Sequence, residues 1–453
     1  MARHSQVTTS TPESPDWVVT ALSSGVLSPY PQGGRSASVS TSRRRPVGVA
    51  GKAVAVRSPG LPAPLAGRLL IFATVALLLF GLVMAFSAST AQGYFAYGSH
   101  WYFLKKQLLF ASVGVVLMVV LSRVDYRVWR RAALPLAGSV AGLLVLVALP
   151  GIGATINGAR RWLDLGFATV QPSELAKPVA VLLAAALIVG PGAPITTLRG
   201  MVRIVALALL PLAVLIMIGK DLSTTIVLTL AIGAVLVTAG ARWRHLLAFG
   251  AVLPAVAGLL VLMEPYRTAR FTAFLDPWAH ADTSGFQTTQ SLISVASGQV
   301  FGVGLGNSVQ KFGYLPEQTT DMITGIIGEE LGLVGLLLLI ALYAVLAWAG
   351  LQLALTCREP FARLVCAGLT VAVAGQALLN LAAAMGLVPV LGVPLPLVSC
   401  GGTSLLAVLA GTGIMLNIAN NRRSQIVASP EGCRRDDRRR GDRRAHGAGP
   451  RGR

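Results

Sequence analysis

Ten apolar runs, each close to the length of a bilayer crossing, fill most of the chain between Leu69 and Leu416. They fall at about 68–88, 104–122, 132–150, 172–190, 201–218, 222–240, 246–263, 321–351, 363–386 and 399–419. A helix needs about 20 predominantly apolar residues to cross the hydrocarbon core. Within that core every backbone N–H and C=O must find a partner inside the protein, so runs of this length specify helices. The expected fold is an all-α polytopic membrane protein with about ten transmembrane helices. The run at 321–351 is long enough for its first turns to lie outside the hydrocarbon. The fifth and sixth runs are divided only by Gly219, Lys220 and Asp221.

Charge sets the orientation. Only 12% of the residues are charged, yet the net charge is +20. Met1 to Gly67 holds seven basic and two acidic residues, and Asn421 to Arg453 holds eleven arginines and four acids. Basic tails flanking membrane spans fit attraction to anionic membrane lipids better than nucleic acid binding. Both tails are rich in small and polar residues and are expected to be disordered. The chain thus divides into a tail at 1–67, a membrane domain at 68–420 and a second tail at 421–453. Nothing at the start reads as a cleaved leader, so the first run is expected to act as an anchor. With the amino terminus in the cytoplasm, every inner loop carries arginine, as the positive-inside rule asks. An even number of spans puts both termini inside and leaves a large outer loop, 264–320, between the seventh and eighth.

Several basic residues break that rule: Lys105, Lys106, Arg160, Arg161, Lys177, Lys220, Arg267, Arg270 and Lys311 fall on the outer side. They are candidates to bind an anion there, although Lys105 and Lys106 are more simply read as snorkelling at a span end. Acids gather in YLPEQTTDMITGIIGEELG, which places Glu317, Asp321, Glu329 and Glu330 at the mouth of the eighth run. An acid in a span is costly and needs a partner, a wet cavity or a task. These acids can also mark the water boundary or favour the start of a helix. Glu174 and Lys177 are spaced i, i+3 on one helix face, and pairing and substrate contact are both open to them. In the outer loop, the part around QTTQSLISVAS reads as a short amphipathic helix on the surface, and GVGLG at 302–306 reads as a turn. The four cysteines have no metal or disulfide spacing.

Four stretches occur together and in order: NGARRWLDLGFATVQPSELAKP, KDLSTTIVL, GLGNSVQKFGYLPEQTTDMITGIIGEELGLVG and GVPLPLVSCGGTSLL. On these the chain resembles the SEDS (shape, elongation, division, sporulation) family of peptidoglycan polymerases. NGARRW and GNSVQK look more like its FtsW-like than its RodA-like branch. The resemblance covers about residues 68 to 420. It implies Asp321 as the catalytic residue, with Arg161, Arg160, Lys177, Glu174 and Lys311 toward substrate and Glu317, Glu329, Glu330 and Ser399 in support. Three departures from the family pattern are Met322, Lys220 with Ser223, and Cys400.

The implied activity is polymerisation of lipid II into glycan strands on the outer face of a bacterial cytoplasmic membrane, with release of undecaprenyl diphosphate, during septal synthesis. The implied partners are lipid II, a class B penicillin-binding protein of FtsI-like type and other division proteins. A base must take the acceptor's hydroxyl proton, and desolvation suits Asp321 to that. Cations must hold the diphosphate. Mg or Mn is compatible with this chemistry, but no residue set specifies either. A lipid II flippase, a RodA-like elongation polymerase and a non-catalytic division scaffold are the competing readings. Exposed aromatics of the outer loop, Phe271, Phe274, Trp278 and Phe286, suit either a partner surface or a membrane-interface belt.

Overall fold

The computed structural model describes residues 63–421, apart from 157, 158, 165, 167, 168 and 193. The disorder expected of the two tails, and Asn157 and Gly158 of the NGARRW stretch, lie outside the described residues. The apolar runs become α1 (Ala63–Tyr97), α2 (Tyr102–Arg123), α3 (Tyr126–Ala148) and α4 (Pro172–Val189). Next come α5 (Leu198–Ile204) and α6 (Leu210–Ile218), continuous through a π-helical turn at Val205–Leu209. After them stand α7 (Leu222–Thr238), α8 (Trp243–Leu262), the short α9 (Pro265–Leu275) and α10 (Phe286–Ser297), and then α11 (Ile323–Thr356), α12 (Pro360–Ala384) and α13 (Gly402–Asn420). Among the described residues, eight segments are long and apolar enough to cross a membrane: α1 to α4, the continuous α5–α6, and α11 to α13. The apolar α7 and α8 lie where the sixth and seventh runs were expected.

The central helices are α4, α12 and α13, the most enclosed of these spans. Small residues let them approach. A Cβ on Gly368 of α12 would meet Val181 of α4 and Val235 of α7 at 2.6–2.7 Å. Such small-residue contacts replace the hydrophobic drive that lipid removes. Gly219–Asp221 is a true break. Asp221 caps α7 by accepting a bond from the Thr224 N–H at 3.1 Å.

Three features depart from the sequence reading. The segment between α3 and α4 is a small antiparallel sheet of β1 (Gly153–Ile156), β2 (Ala159–Asp164) and β3 (Thr169–Val170), ordered β1-β2-β3. A strand sends successive side chains to opposite faces, so Arg160 and Arg161 part company. Second, α10 is more than a surface helix: Ile293, Ala296 and Ser297 are exposed, but its other face is packed inside. It turns its hydroxyls inward, with Thr288, Thr289, Ser291 and Ser294 all buried. Ser291 donates to the Ala384 carbonyl (2.8 Å) and Ser294 to the Gly325 carbonyl (2.9 Å). Small polar side chains permit this close docking on α11, where an apolar face could not satisfy those carbonyls.

Third, α11 is broken at Gly332, whose φ of 63° belongs to the left-handed region. The bonds that a continuous helix would make there are made by the outer loop instead. The Val303 and Gly304 N–H groups donate to the Glu329 and Glu330 carbonyls, each at 3.0 Å. The Leu333 and Val334 N–H groups donate to the Gln299 and Val300 carbonyls at 2.9 and 3.1 Å. The glycine-rich 302–306 stretch is thus a turn, as expected, and it repairs a broken helix.

Candidate functional site

A cavity of about 450 Å³ opens where β2, α9 and the chain segments 219–224, 317–321 and 389–404 meet. Its lining includes Asp321, Glu317, Glu174 and Arg161, together with Lys220, Arg267 and Arg270. Asp321 is half-buried just ahead of α11, and among the described residues no side chain donates a hydrogen bond to its carboxylate. Its backbone is held instead. The Asn380 side chain of α12 donates to the Asp321 carbonyl at 2.7 Å and to the Val393 carbonyl at 2.6 Å, while accepting from Thr324 at 2.7 Å. Ser399 donates to the Thr320 carbonyl at 2.5 Å and accepts from the Leu395 N–H at 2.8 Å, so it braces the same stretch. Enclosure, with the Glu317 carboxylate nearby, pushes the Asp321 carboxyl up to about 7 against the pull of Arg270 and Arg161.

Arg161 leaves β2 toward the cavity and donates to the Gly219 carbonyl (3.0 Å) and the Lys220 carbonyl (2.7 Å). Arg267 donates to the same Lys220 carbonyl at 3.3 Å. Lys220 has a φ of 62°, rare for a side-chain-bearing residue. That conformation accompanies a carbonyl shared by two guanidiniums. The Lys220 ammonium pairs with Glu264 at 3.2 Å. Arg270 donates to the Val390 carbonyl at 3.1 Å and lies 4.6 Å over the Tyr266 ring. Asp221 accepts bonds from Gln171, Ser173, Ser223 and Thr224 at 2.8–3.1 Å. Burial alone would raise its carboxyl, but the Arg161 charge and the Thr224 and Ser223 bonds hold it below the usual carboxylate range. Ser223, one of the departures from the family pattern, is therefore part of this acid's support. Burial pushes the Cys400 thiol up to about 12, so it stays protonated.

Other expected site residues stand elsewhere. Arg160 is exposed, on the far face of its strand from Arg161. Lys177 is buried and pairs with Glu174 at 2.6 Å while donating to Gln376 at 2.5 Å, so the i, i+3 pair is formed and its ammonium is committed. Lys311 is buried too. It donates to the Gly306 carbonyl and pairs with Glu330 at 3.6 Å. Glu330 also accepts from Ser87 of α1 at 2.6–2.7 Å. Glu329 accepts from Ser308 at 2.5 Å and from the Val309 N–H at 2.9 Å. Lys177, Lys311, Glu329 and Glu330 thus serve packing rather than the cavity, because each has found a partner inside the protein. The expected substrate set omitted Arg270 and Arg267, whose signal was only their place on the outer side against the charge rule.

A helical membrane bundle with an acid and several arginines in a cavity at one end is the class of protein these features define. A family model described as "Cell cycle protein" (FtsW, RodA and SpoVE) matches residues 68–424. The chain belongs to that family. It is 38% identical over 357 residues to the stage V sporulation protein E of Bacillus subtilis, covering 78% of this chain and 97% of that one. It is 40% identical over 355 residues to the "Probable peptidoglycan glycosyltransferase FtsW" of Thioalkalivibrio sulfidiphilus, covering 77% of this chain and 88% of that one. Among solved structures it resembles the Thermus thermophilus rod shape determining protein RodA, at 29% identity and a TM-score of 0.59 over 79% of this chain and 97% of that one. It also resembles a chain from a study of polymerisation and crosslinking by a peptidoglycan synthase complex, at 30% identity and a TM-score of 0.65 over 78% and 97%.

Proposed function

We propose that the protein is a peptidoglycan glycosyltransferase that polymerises lipid II into glycan strands, in the FtsW-like manner of septal wall synthesis. The relatives' names support the activity. The observation that carries the mechanism is the Asp321 carboxylate, raised to about 7, free of side-chain hydrogen bonds among the described residues, in a cavity rich in arginine. A carboxylate so placed is matched to general base catalysis near neutral pH. It takes the proton of the incoming sugar's 4-hydroxyl. The oxygen then attacks the anomeric carbon of the growing strand, and the bond from that carbon to the diphosphate oxygen breaks. The diphosphate leaves with the bonding electrons. Arg161, Lys220, Arg267 and Arg270 give the cavity the positive potential that draws a diphosphate in. Glu174, paired with Lys177, forms part of the wall.

Among the described residues no three His, Cys, Asp or Glu side chains gather into a protein cage for Mg or Mn; such an ion, if it entered with substrate, would be held by Asp321 or Glu317 together with the diphosphate. A class B penicillin-binding protein of FtsI-like type is the proposed partner, with septal enrichment and other division proteins as its corollaries. Exposed Phe271 and Trp278, at 45% and 62%, suit the loop surface it would meet, while Phe274 and Phe286 are half-buried.

Asp321→Asn tests the mechanism in purified full-length protein supplied with lipid II and such a partner. Glycan synthesis, read as chain length on gels, is expected to fall about 10²–10⁴-fold. Chains made at the wild-type rate by a folded Asp321→Asn protein would remove Asp321 as the base.

A further inference from the structure

With Lys177 and Lys311 committed elsewhere, the cavity wall itself offers another anion holder. α13 starts at Gly402 with Gly401 as its N-cap, and no side chain caps it. The first N–H groups of a helix have no acceptor within it. The Gly401 N–H turns to the Ser399 carbonyl at 2.8 Å, and the first helical bond runs from the Leu405 N–H to the Gly401 carbonyl at 2.9 Å. The N–H groups of Gly402, Thr403 and Ser404 lie between them without a partner among the described residues. All of Gly401 to Ser404 line the cavity, and the helix behind them runs 19 residues. Its dipole therefore ends positive at the cavity.

Two further observations point to a ligand. Ser404 is 5% exposed and lines the cavity, yet its hydroxyl has no hydrogen-bond partner among the described residues. A buried hydroxyl is normally satisfied, so an unpaired one at a cavity wall is a donor in waiting. Gly401 carries the second. Its φ of −126° suits any residue, and an added Cβ would meet Ser404 Cβ at 3.5 Å and Pro394 Cβ at 3.9 Å, ordinary contacts. The protein itself does not require glycine there. Gly402 is different, because its missing Cβ makes room for the Phe110 ring at 2.7 Å. A glycine that neither backbone nor packing demands fits close approach by a ligand.

This helix start is also tied to Asp321. The Cys400 N–H donates to the Thr319 carbonyl at 2.9 Å, and Ser399 donates to the Thr320 carbonyl at 2.5 Å. We infer that Gly401 to Ser404 form a phosphate cradle that takes the diphosphate of the lipid-linked donor. The inference rests on the polymerase reading. When the bond from the anomeric carbon to oxygen breaks, the electron pair and negative charge pass to a phosphate oxygen facing these N–H groups and the Ser404 hydroxyl. The acceptor's proton meanwhile goes to Asp321. Backbone donors at a helix start suit such a charge because they are already aimed.

The test is binding to full-length protein in nanodiscs, with undecaprenyl diphosphate, inorganic pyrophosphate and uncharged undecaprenol as probes. Ser404→Ala is expected to weaken undecaprenyl diphosphate binding about tenfold, the scale of one hydrogen bond to a charged group. Gly401→Ala is expected to weaken it at least as much, with unfolding midpoints near wild type. Pyrophosphate should lose affinity by the same ratios and undecaprenol by none. Asp321→Asn should bind the lipid diphosphate at least as tightly as wild type. Wild-type affinity in both folded α13 variants overturns the cradle and leaves the polymerase reading to the Asp321 assay. Equal losses for undecaprenol mean damaged packing and overturn it as well. If the variants weaken diphosphate binding as expected but the wild type makes no glycan, the polymerase reading falls and the anion site stands.

Discussion

Asp321 and the pair Glu329–Glu330 lie within ten residues of one another on the same stretch of chain, and their surroundings are opposite. Glu329 is wrapped by Ser308 and by backbone N–H groups of the 308–310 turn. Glu330 holds Ser87 and Lys311. Asp321 has its backbone clamped by Asn380 and its carboxylate turned to a cavity. The first two acids are costly groups whose cost is offset internally, and they weld α1, the outer loop and α11 together. The third remains uncompensated, which raises its proton affinity. Partner count together with burial, rather than sequence proximity, separates an acid that holds the fold from one available for chemistry.

That comparison breaks most visibly at Glu330. Glu330→Leu strands Lys311 as a buried cation, and breaking such a pair costs about 3–5 kcal/mol. The expected outcome is a sharp loss of folded yield and a lower unfolding midpoint, where Asp321→Asn lowers neither. Equal stability of the two variants would erase the distinction drawn here. A smaller effect should appear in the pH profile. If Asp321 acts ionised, polymerisation falls about tenfold per pH unit below its value of about 7 and levels off above it. The same group has the opposite sign in stability. Its folded value lies above the ordinary 3.8, so wild type loses stability as pH rises from about 4 through about 7. The stabilising effect of Asp321→Asn should therefore be greater at pH 8 than at pH 5. A profile flat between pH 5 and 8 by both measures points to an acid of ordinary proton affinity. The smallest effect is expected of the double variant Glu330→Leu with Lys311→Met. Replacing both members of a buried pair with apolar residues is often neutral, so most of the stability lost in the single variant should return.

Much of this was legible from apolar run length, because a bilayer leaves helices as the workable answer. The ends were not. The first run was read at 68–88, whereas α1 continues to Tyr97. Hydropathy fades at Ser87, but the helix goes on because Ser87 is packed against Glu330 of another element. The sheet of β1 to β3 was missed for a related reason, since six residues of ARRWLD carry too short an alternation to outweigh ten strong helical signals. Within the site, Asp321 and Arg161 were legible through their motifs. Telling Lys311 from Arg270 was not, because both are outer-side cations in one loop. Their difference lies in long-range partners: Gly306 and Glu330 close over Lys311, while Val390, 120 residues away in sequence, holds Arg270 at the cavity.

The break at Gly332 also works as a ruler. Residues 333–356 of α11 reach about 36 Å at 1.5 Å per residue, more than the roughly 30 Å of a hydrocarbon core. The part below the break is therefore long enough to cross by itself, and residues 323–331 add about 13 Å of helix beyond it. Asp321 precedes that added segment, so the part of α11 long enough to span does not include it. Shortening or lengthening residues 323–331 by one turn would move the Asp321 carboxylate about 5.4 Å along that helix axis, away from the cavity residues that now face it.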